Sequence, residues 1–170
     1  MTTKMSVVFD VGGVLLDWQP ERYLAQTLPD EDCDALAAVT FRSDIWRALD
    51  AGRVTKADVA RAFVATTNLA PARVESLLDE MPASLAPIVA LPNVFRGRVF
   101  SYAELTLKPE ASIYRVLQER CQLNAAQCVF IDDTLANLEA AAEQGMHTVH
   151  MPDASAATAA TVIAQVSALL

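Results

Sequence analysis

Two apolar runs that each end in aspartate constrain this chain more than anything else in its 170 residues. Met5-Ser6-Val7-Val8-Phe9 has the composition of a buried strand, and Asp10-Val11-Gly12-Gly13-Val14-Leu15 follows at once. Far downstream, Cys128-Val129-Phe130-Ile131 is a second buried strand that ends in Asp132-Asp133. Ligands of α/β sheets bind beyond the carboxyl ends of strands. The two glycines after Asp10 let the backbone turn sharply and come close to a ligand, which puts Gly13 beside the substrate. Acids delivered by two strands to one edge can hold a hard cation. Between them Lys108-Pro109 opens a helix. The order of candidate nucleophile, lysine and acid pair points to phosphate chemistry.

Composition narrows the partners. A formal net charge of −8 argues against nucleic acid, whose backbone needs a basic surface. It leaves room for a small phosphorylated substrate, because a local cation overrides global charge. No apolar run reaches the roughly 18 residues of a membrane span, and the short apolar stretch after Lys4 ends in Asp10, as a strand does and a signal peptide does not. Cys33, Cys121 and Cys128 lack metal-ligand spacing and read as reduced thiols, so a cytoplasmic location is expected. Cys128 reads as a core residue.

Hydrophobic periodicity predicts a helical module between strands. Asp30 is placed to cap a helix carrying Leu36, Ala37 and Val39, and Ser43 one carrying Trp46, Ala48 and Leu49. Thr55 and Asp58 have capping-box spacing ahead of Val59, Phe63 and Val64. Pro71 fits the first turn of a helix with Val74, Leu77 and Leu78. Pro82, Pro87 and Pro92 exclude a long helix, and Arg98-Val99-Phe100 reads as a short strand. Pro109 is expected to start a helix with Ile113, Val116, Leu117 and Cys121 on one face. Asn124 ends or caps the next turn. Thr134 to Gln144 reads as helix stopped by Gly145, 147–150 as a strand, and Ser155 caps a last helix. His147 and His150 read as structural. The expected fold is α/β, a parallel Rossmann-like sheet flanked by helices with an inserted helical cap. The boundaries are 1–17 and 82–170 for the core, and 18–81 for the cap.

A carboxylate can attack phosphorus and form an aspartyl-phosphate, splitting hydrolysis into two easier steps. Its charge repels the phosphate, so Mg²⁺ is needed to neutralise both. Asp10, the Gly12 carbonyl, Asp132 and Asp133 can supply the oxygens, Asp133 directly or through water. Lys108 would hold phosphate and nucleophile as a point charge. Each group alone has a plainer use: a turn residue or helix cap for Asp10, a helix cap for Asp132-Asp133, a solvated surface lysine for Lys108. Their order and their placement at strand ends favour the shared site.

The chain resembles the haloacid dehalogenase-like (HAD) superfamily of aspartate-nucleophile phosphatases, in the branch with a helical cap. The matching stretches are Phe9 to Trp18, Trp46 to Gly52, Ser101 through Lys108-Pro109-Glu110, Phe130 to Asn137, and Gly145-Met146-His147. The resemblance implies that Asp10 is the nucleophile, Lys108 the family's lysine, and Asp132 and Asp133 its metal acids. Asn137 matches a recurring asparagine, read either as a substrate contact or as a helix-terminus hydrogen bond. Residues near Trp18 to Leu78 match the cap, which in this family closes the site and selects substrates, with Trp46 as a cap core aromatic.

Two departures stand out. The family's second aspartate, two positions after the nucleophile, is Gly12 here, so the leaving group's proton needs another source, Asp17 or water. The family also has a strand ending in a phosphate-binding Ser or Thr before the lysine. No such strand lies between Leu85 and Ser101. By comparison with the family, on the order of 30 residues are absent near 90–95, and losing that donor alone can lower the rate about a hundredfold or more.

The expected function is Mg²⁺-dependent hydrolysis of a small phosphomonoester such as a sugar phosphate. The alternatives are a catalytically impaired homologue with a binding or regulatory role, and a 2-haloacid dehalogenase. Paired metal acids argue against the dehalogenase.

Overall fold

The computed structural model describes residues 5–29, 33, 43–81, 86–87, 95–153 and 155–170. In chain order the described elements are β1 (Ser6–Phe9), β2 (Leu16–Asp17), α1 (Pro20–Thr27), α2 (Asp44–Asp50), α3 (Lys56–Thr66), α4 (Pro71–Glu80), β3 (Ala86–Pro87), α5 (Ser101–Glu104), α6 (Ala111–Cys121), a 3-10 turn (Ala125–Gln127), β4 (Cys128–Asp132), α7 (Leu135–Glu143), β5 (His147–His150) and α8 (Ala156–Leu169). The chain divides into two compact units. One comprises Met1–Trp18, Ala86–Phe100 and Thr106–Leu170; the other comprises Gln19–Leu85 and Ser101–Leu105.

The first unit is an α/β layer structure. Its parallel sheet has the order β1-β4-β5. β1 is in register with β4 from Ser6↔Cys128 to Phe9↔Ile131, and β4 with β5 from Val129↔His147 to Asp132↔His150. β4 is central, and all five of its residues are buried. Because strand side chains alternate, β4 serves two cores. Val129 and Ile131 pack with Val14, Leu15, Val149, Met151 and the α8 residues Val162 and Val166. Cys128 and Phe130 pack with Ile113 and Tyr114 of α6, Leu138 and Ala141 of α7, and Met146. Helices therefore cover both faces, as a parallel sheet requires.

The second unit is helical, and its caps are local. Ser43 Oγ accepts from the Trp46 amide at 3.2 Å. Thr55 and Asp58 form a reciprocal capping box, and Pro71 stands at the start of α4. Its core gathers Leu24, Val59, Ala60, Phe63, Val74, Leu77 and Leu78. Trp46 is half-buried against this cluster and stacks on Phe63, with centroids 6.4 Å apart and planes 8° from parallel. The segment Ser101–Leu105 groups with these helices. Gly52, at φ +67, lies so close to the Tyr102 carbonyl that a Cβ would sit 2.2 Å from its oxygen.

Several expectations need correction. β1 is half-buried, and Phe9 is 39% exposed, because among the described residues only β4 pairs with it. Arg98–Phe100 does not enter the sheet; only Val99 turns inward, onto the α6–α7 side of the core. The helix after Lys108 starts at Ala111, with Glu110 as its N-cap, because residues 108–110 form a turn. The antiparallel β2–β3 pair, Leu16↔Pro87 and Asp17↔Ala86, and the short helix α5 have no periodic signal in sequence. The helix expected after Asp30 lies outside the described residues, apart from Cys33. Among the described residues Cys33, Cys121 and Cys128 form no disulfide with one another, and Cys128 is fully buried. Among the described residues no helix is long and apolar enough to cross a membrane.

Leu77 is 1% exposed in the middle of the helical unit's core. Leu77→Ala should destabilise the fold by about 2–5 kcal/mol, and Thr55→Ala, which breaks the capping box, by about 1 kcal/mol. Urea denaturation of the two variants checks the ranking.

Candidate active site

Parallel pairing of β1 with β4 sets the site. Because Phe9 is opposite Ile131, the residues that follow each strand emerge side by side. The Asp10 amide donates to the Ile131 carbonyl at 2.8 Å, one last rung beyond β1. Asp10 and Asp132 thus leave the sheet at the same edge. Asp132 is completely buried, and its position two residues after Phe130 puts both side chains on the same face of β4.

Lys108 lies between these two acids. Its Nζ is 2.7 Å from Asp10 Oδ1 and 2.5 Å from Asp132 Oδ2. The ammonium also stands 5.5 Å from the centroid of the Phe130 ring, which gives it an apolar floor with a cation–π contact. The other Asp132 oxygen, Oδ1, accepts from the Thr134 amide at 2.8 Å and from Asn137 Nδ2 at 3.0 Å. A buried carboxylate needs this many partners to be tolerated.

Asp133 completes the acidic cluster. One carboxylate oxygen from each of Asp10, Asp132 and Asp133 lies within 4.8 Å of the others. Asp133 is seated against Gly13: a Cβ there would be 2.5 Å from Asp133 Oδ2, and Gly13 has φ +75. Any side chain at position 13 would therefore meet both backbone strain and a collision. Gly13 donates its own amide to the Leu16 carbonyl at 2.8 Å, closing the loop that bears the nucleophile candidate. Gly12 faces Trp18, whose Cβ would stand 3.7 Å from a Cβ on residue 12. His150 Nε2 is 3.0 Å from the Asp133 carbonyl. The carbonyl accepts, so Nε2 carries the proton, and this bond anchors the acid loop to β5.

The electrostatics ask for more positive charge than the described residues supply. Burial pushes the Asp10 carboxyl up from its ordinary pKa; Lys108 opposes that shift and the neighbouring Asp132 adds to it. Asp133 is also pushed up, by desolvation first and then by Asp132 and Asp10. The cluster sets three carboxylates against one ammonium. A dication with hard-oxygen preference fits this donor set in both charge and chemistry.

Sequence reasoning singled out Asp10, Gly12, Gly13, Lys108, Asp132, Asp133 and Asn137, and the structure brings all seven into the two loops around Lys108 or against them. Asp17, named as one source of a proton, lies in β2, paired with Ala86. Thr134 and Phe130 were missed as site residues, while His150, expected to be structural, holds the acid loop through the Asp133 carbonyl. Phe130 had a signal, the two-residue spacing to Asp132. The Thr134 amide had none, since backbone groups carry no residue signature.

No protein-family model matches the chain. It is similar to the sesquiterpene phosphatase astK of Aspergillus oryzae, at 26% identity over 189 residues covering 91% of this chain and 93% of the relative. That alignment is longer than the 170-residue chain, so the relative carries residues that this chain lacks. Among solved structures, a predicted HAD-like family hydrolase from Porphyromonas gingivalis superposes with a TM-score of 0.65 at 17% identity, covering 96% of this chain and 98% of that one. A HAD family enzyme from Bacteroides thetaiotaomicron, solved in complex with magnesium and inorganic phosphate, has a TM-score of 0.61 at 16% identity, covering 87% and 94%. A structure described as a dehalogenase reaches 0.62 at 14% identity, covering 89% and 86%.

A carboxyl whose pKa is higher in the folded than in the unfolded chain binds its proton more tightly when folded. It therefore weakens the fold at pH values above that pKa, and the penalty disappears as pH falls below the unfolded value. With EDTA present, Asp10→Asn should thus raise the melting temperature at pH 7. The gain should shrink as pH falls through the carboxylate range, to nothing near pH 3. Melting curves of both proteins from pH 3 to 8 test the sign.

Proposed function

We propose that this chain, whose fold is similar to that of solved HAD family enzymes, is a haloacid dehalogenase-like Mg²⁺-dependent phosphatase of small phosphomonoesters, with Asp10 as nucleophile. The observation that carries this reading is the Lys108 ammonium held between Asp10 and Asp132, with Asp133 closing the cluster. The phosphatase relative and the phosphate complex of a fold neighbour support the reaction class.

In this reading an Asp10 carboxylate oxygen attacks phosphorus, the phosphorus–oxygen bond to the alcohol breaks, and an aspartyl-phosphate forms. Water then cleaves the acyl-phosphate, releasing inorganic phosphate and regenerating the Asp10 carboxylate. Lys108 orients Asp10 and neutralises charge as the phosphoryl group arrives. Asp10, Asp132, Asp133 and the Gly12 carbonyl would hold Mg²⁺, which when bound screens the repulsion between carboxylate and phosphate. Asp132 fixes Lys108, and Thr134 and Asn137 fix Asp132. With glycine at position 12 no side chain there can protonate the leaving alkoxide, and water is the proton source. The helical unit takes the part of the family's cap. The free thiols fit a cytoplasmic setting.

A second reading has its own observation. The relative carries residues that this chain lacks, and β1 stands at the edge of the three-stranded sheet among the described residues. A homologue that has lost its phosphate-binding hydroxyl would still bind metal and phosphate while turning over slowly.

Phosphate release from a panel of sugar and alcohol monophosphates, with Mg²⁺ or EDTA, decides between them. The phosphatase reading expects Mg²⁺-dependent turnover, reduced to background in Asp10→Asn and lowered about a hundredfold or more in Lys108→Ala. Phosphate binding without turnover by the folded wild type would establish the second reading. Halide release from a 2-haloacid in EDTA would instead mark a dehalogenase.

A further inference from the structure

Tyr114 is buried on α6, six residues beyond Lys108, and is 2% exposed. Two of its contacts lead to the same ion pair by different routes. Its hydroxyl donates to the Asn137 carbonyl at 2.8 Å, and Asn137 Nδ2 in turn donates to Asp132 Oδ1 at 3.0 Å. Its ring meets Phe130 edge-to-face, with centroids 5.8 Å apart and planes at 87°, and the Phe130 ring lies beneath the Lys108 ammonium. We propose that Tyr114 is a positioning residue for the Lys108–Asp132 pair, with its hydroxyl steadying the acid through Asn137 and its ring steadying the lysine through Phe130.

The chemistry of the position supports the assignment. Packing alone would be served by phenylalanine, since the surrounding side chains Ile113, Cys128, Phe130, Leu138 and Met146 are apolar. A buried hydroxyl costs free energy unless it is paired. Here the hydroxyl reaches a carbonyl in the first turn of α7, the turn that also carries the Asn137 side chain. Fixing that backbone fixes where the amide points. Burial, and then the negative charges of Asp132 and Asp10, push the phenol's ionisation above its ordinary range, so the hydroxyl stays a donor across the physiological range. The second route is one of shape: an edge-on ring against Phe130 limits its rotation and thereby the floor under Lys108. Both routes converge on atoms whose placement decides the charge balance at Asp10.

The catalytic consequence rests on the phosphatase reading, but the first readout does not. The Thr134 amide shares Asp132 Oδ1 with Asn137, so its hydrogen exchange reports how firmly that carboxylate is held. The Val129 amide, in the central strand, reports global opening. In Tyr114→Phe, which keeps the ring, Thr134 exchange should quicken about threefold to tenfold, the worth of one neutral hydrogen bond, while Val129 is unchanged. Asn137→Ala, which cuts the same path further along, should quicken Thr134 at least as much. The double variant should add nothing further, because both changes lie on one path. Where Mg²⁺-dependent turnover is present, kcat should fall about tenfold in Tyr114→Phe at constant KM. The proposal is overturned if Thr134 and Val129 quicken together, if neither changes, or if the Tyr114→Phe effect persists in full on the Asn137→Ala background. Absence of turnover in the wild type would sink the phosphatase reading and leave the exchange experiment able to decide this one.

Discussion

Two carboxylates at adjacent strand ends repel each other, and burial raises the cost of both charges. Lys108 is the group that lets them stand together. The ammonium is shared between Asp10 and a fully buried Asp132, and much of the surrounding structure secures that sharing. Phe130 lies beneath the lysine, two backbone-ordered donors hold the far oxygen of Asp132, and the parallel register brings the two acids to the same level. A buried pair of this kind adds little net stability by itself. Removing one partner leaves the other charged and unsolvated. The arrangement is therefore better understood as holding a geometry than as holding the fold together.

Among the described residues, the sheet that carries this geometry has three strands. With the order β1-β4-β5, burial is deepest in β4 and not in the strand that delivers Asp10. β1 is correspondingly half-buried, and Phe9 rests edge-on against Phe95, with centroids 6.3 Å apart. The apolar character of Met5 to Phe9 suits a strand covered on both sides, and by the described residues it is covered less than its composition allows. Asp10 nevertheless keeps its backbone bond to Ile131, so the β1–β4 pairing, and the site built on it, is intact.

The comparisons constrain the fold more than the chemistry. Neighbours of similar TM-score include an enzyme with bound magnesium and phosphate and another described as a dehalogenase, so the architecture alone does not select a reaction. In the proposed reaction the cluster of three acids around one lysine has a use, because an aspartate attacking phosphorus faces a charged substrate and has to have its repulsion screened. Carbon–halogen displacement has no such requirement. What favours the proposed phosphatase over a dehalogenase is thus local to the loops after β1 and β4 and to Lys108.

Much of this was legible in the sequence. Asp10, Lys108, Asp132 and Asp133 are readable because strand periodicity, strand-end position and residue chemistry are all local properties. The same holds for the caps at Ser43, Thr55 and Ser155, where a hydroxyl satisfies an amide three residues away. The two-residue β2–β3 pair, the late start of α6 and the failure of Arg98–Phe100 to join the sheet were not readable, because each depends on a partner remote in sequence or on a turn's exact backbone path. Asn137 shows the limit within a single residue: its presence near the acids was evident, but that its amide serves Asp132 follows only from where α7 begins. Local sequence thus determined which groups are chemically competent and at which strand ends they stand. Tertiary structure decided which oxygen each one holds and how much water each one keeps, because hydrogen-bond partnership and burial depend on chain segments that meet only when the fold closes.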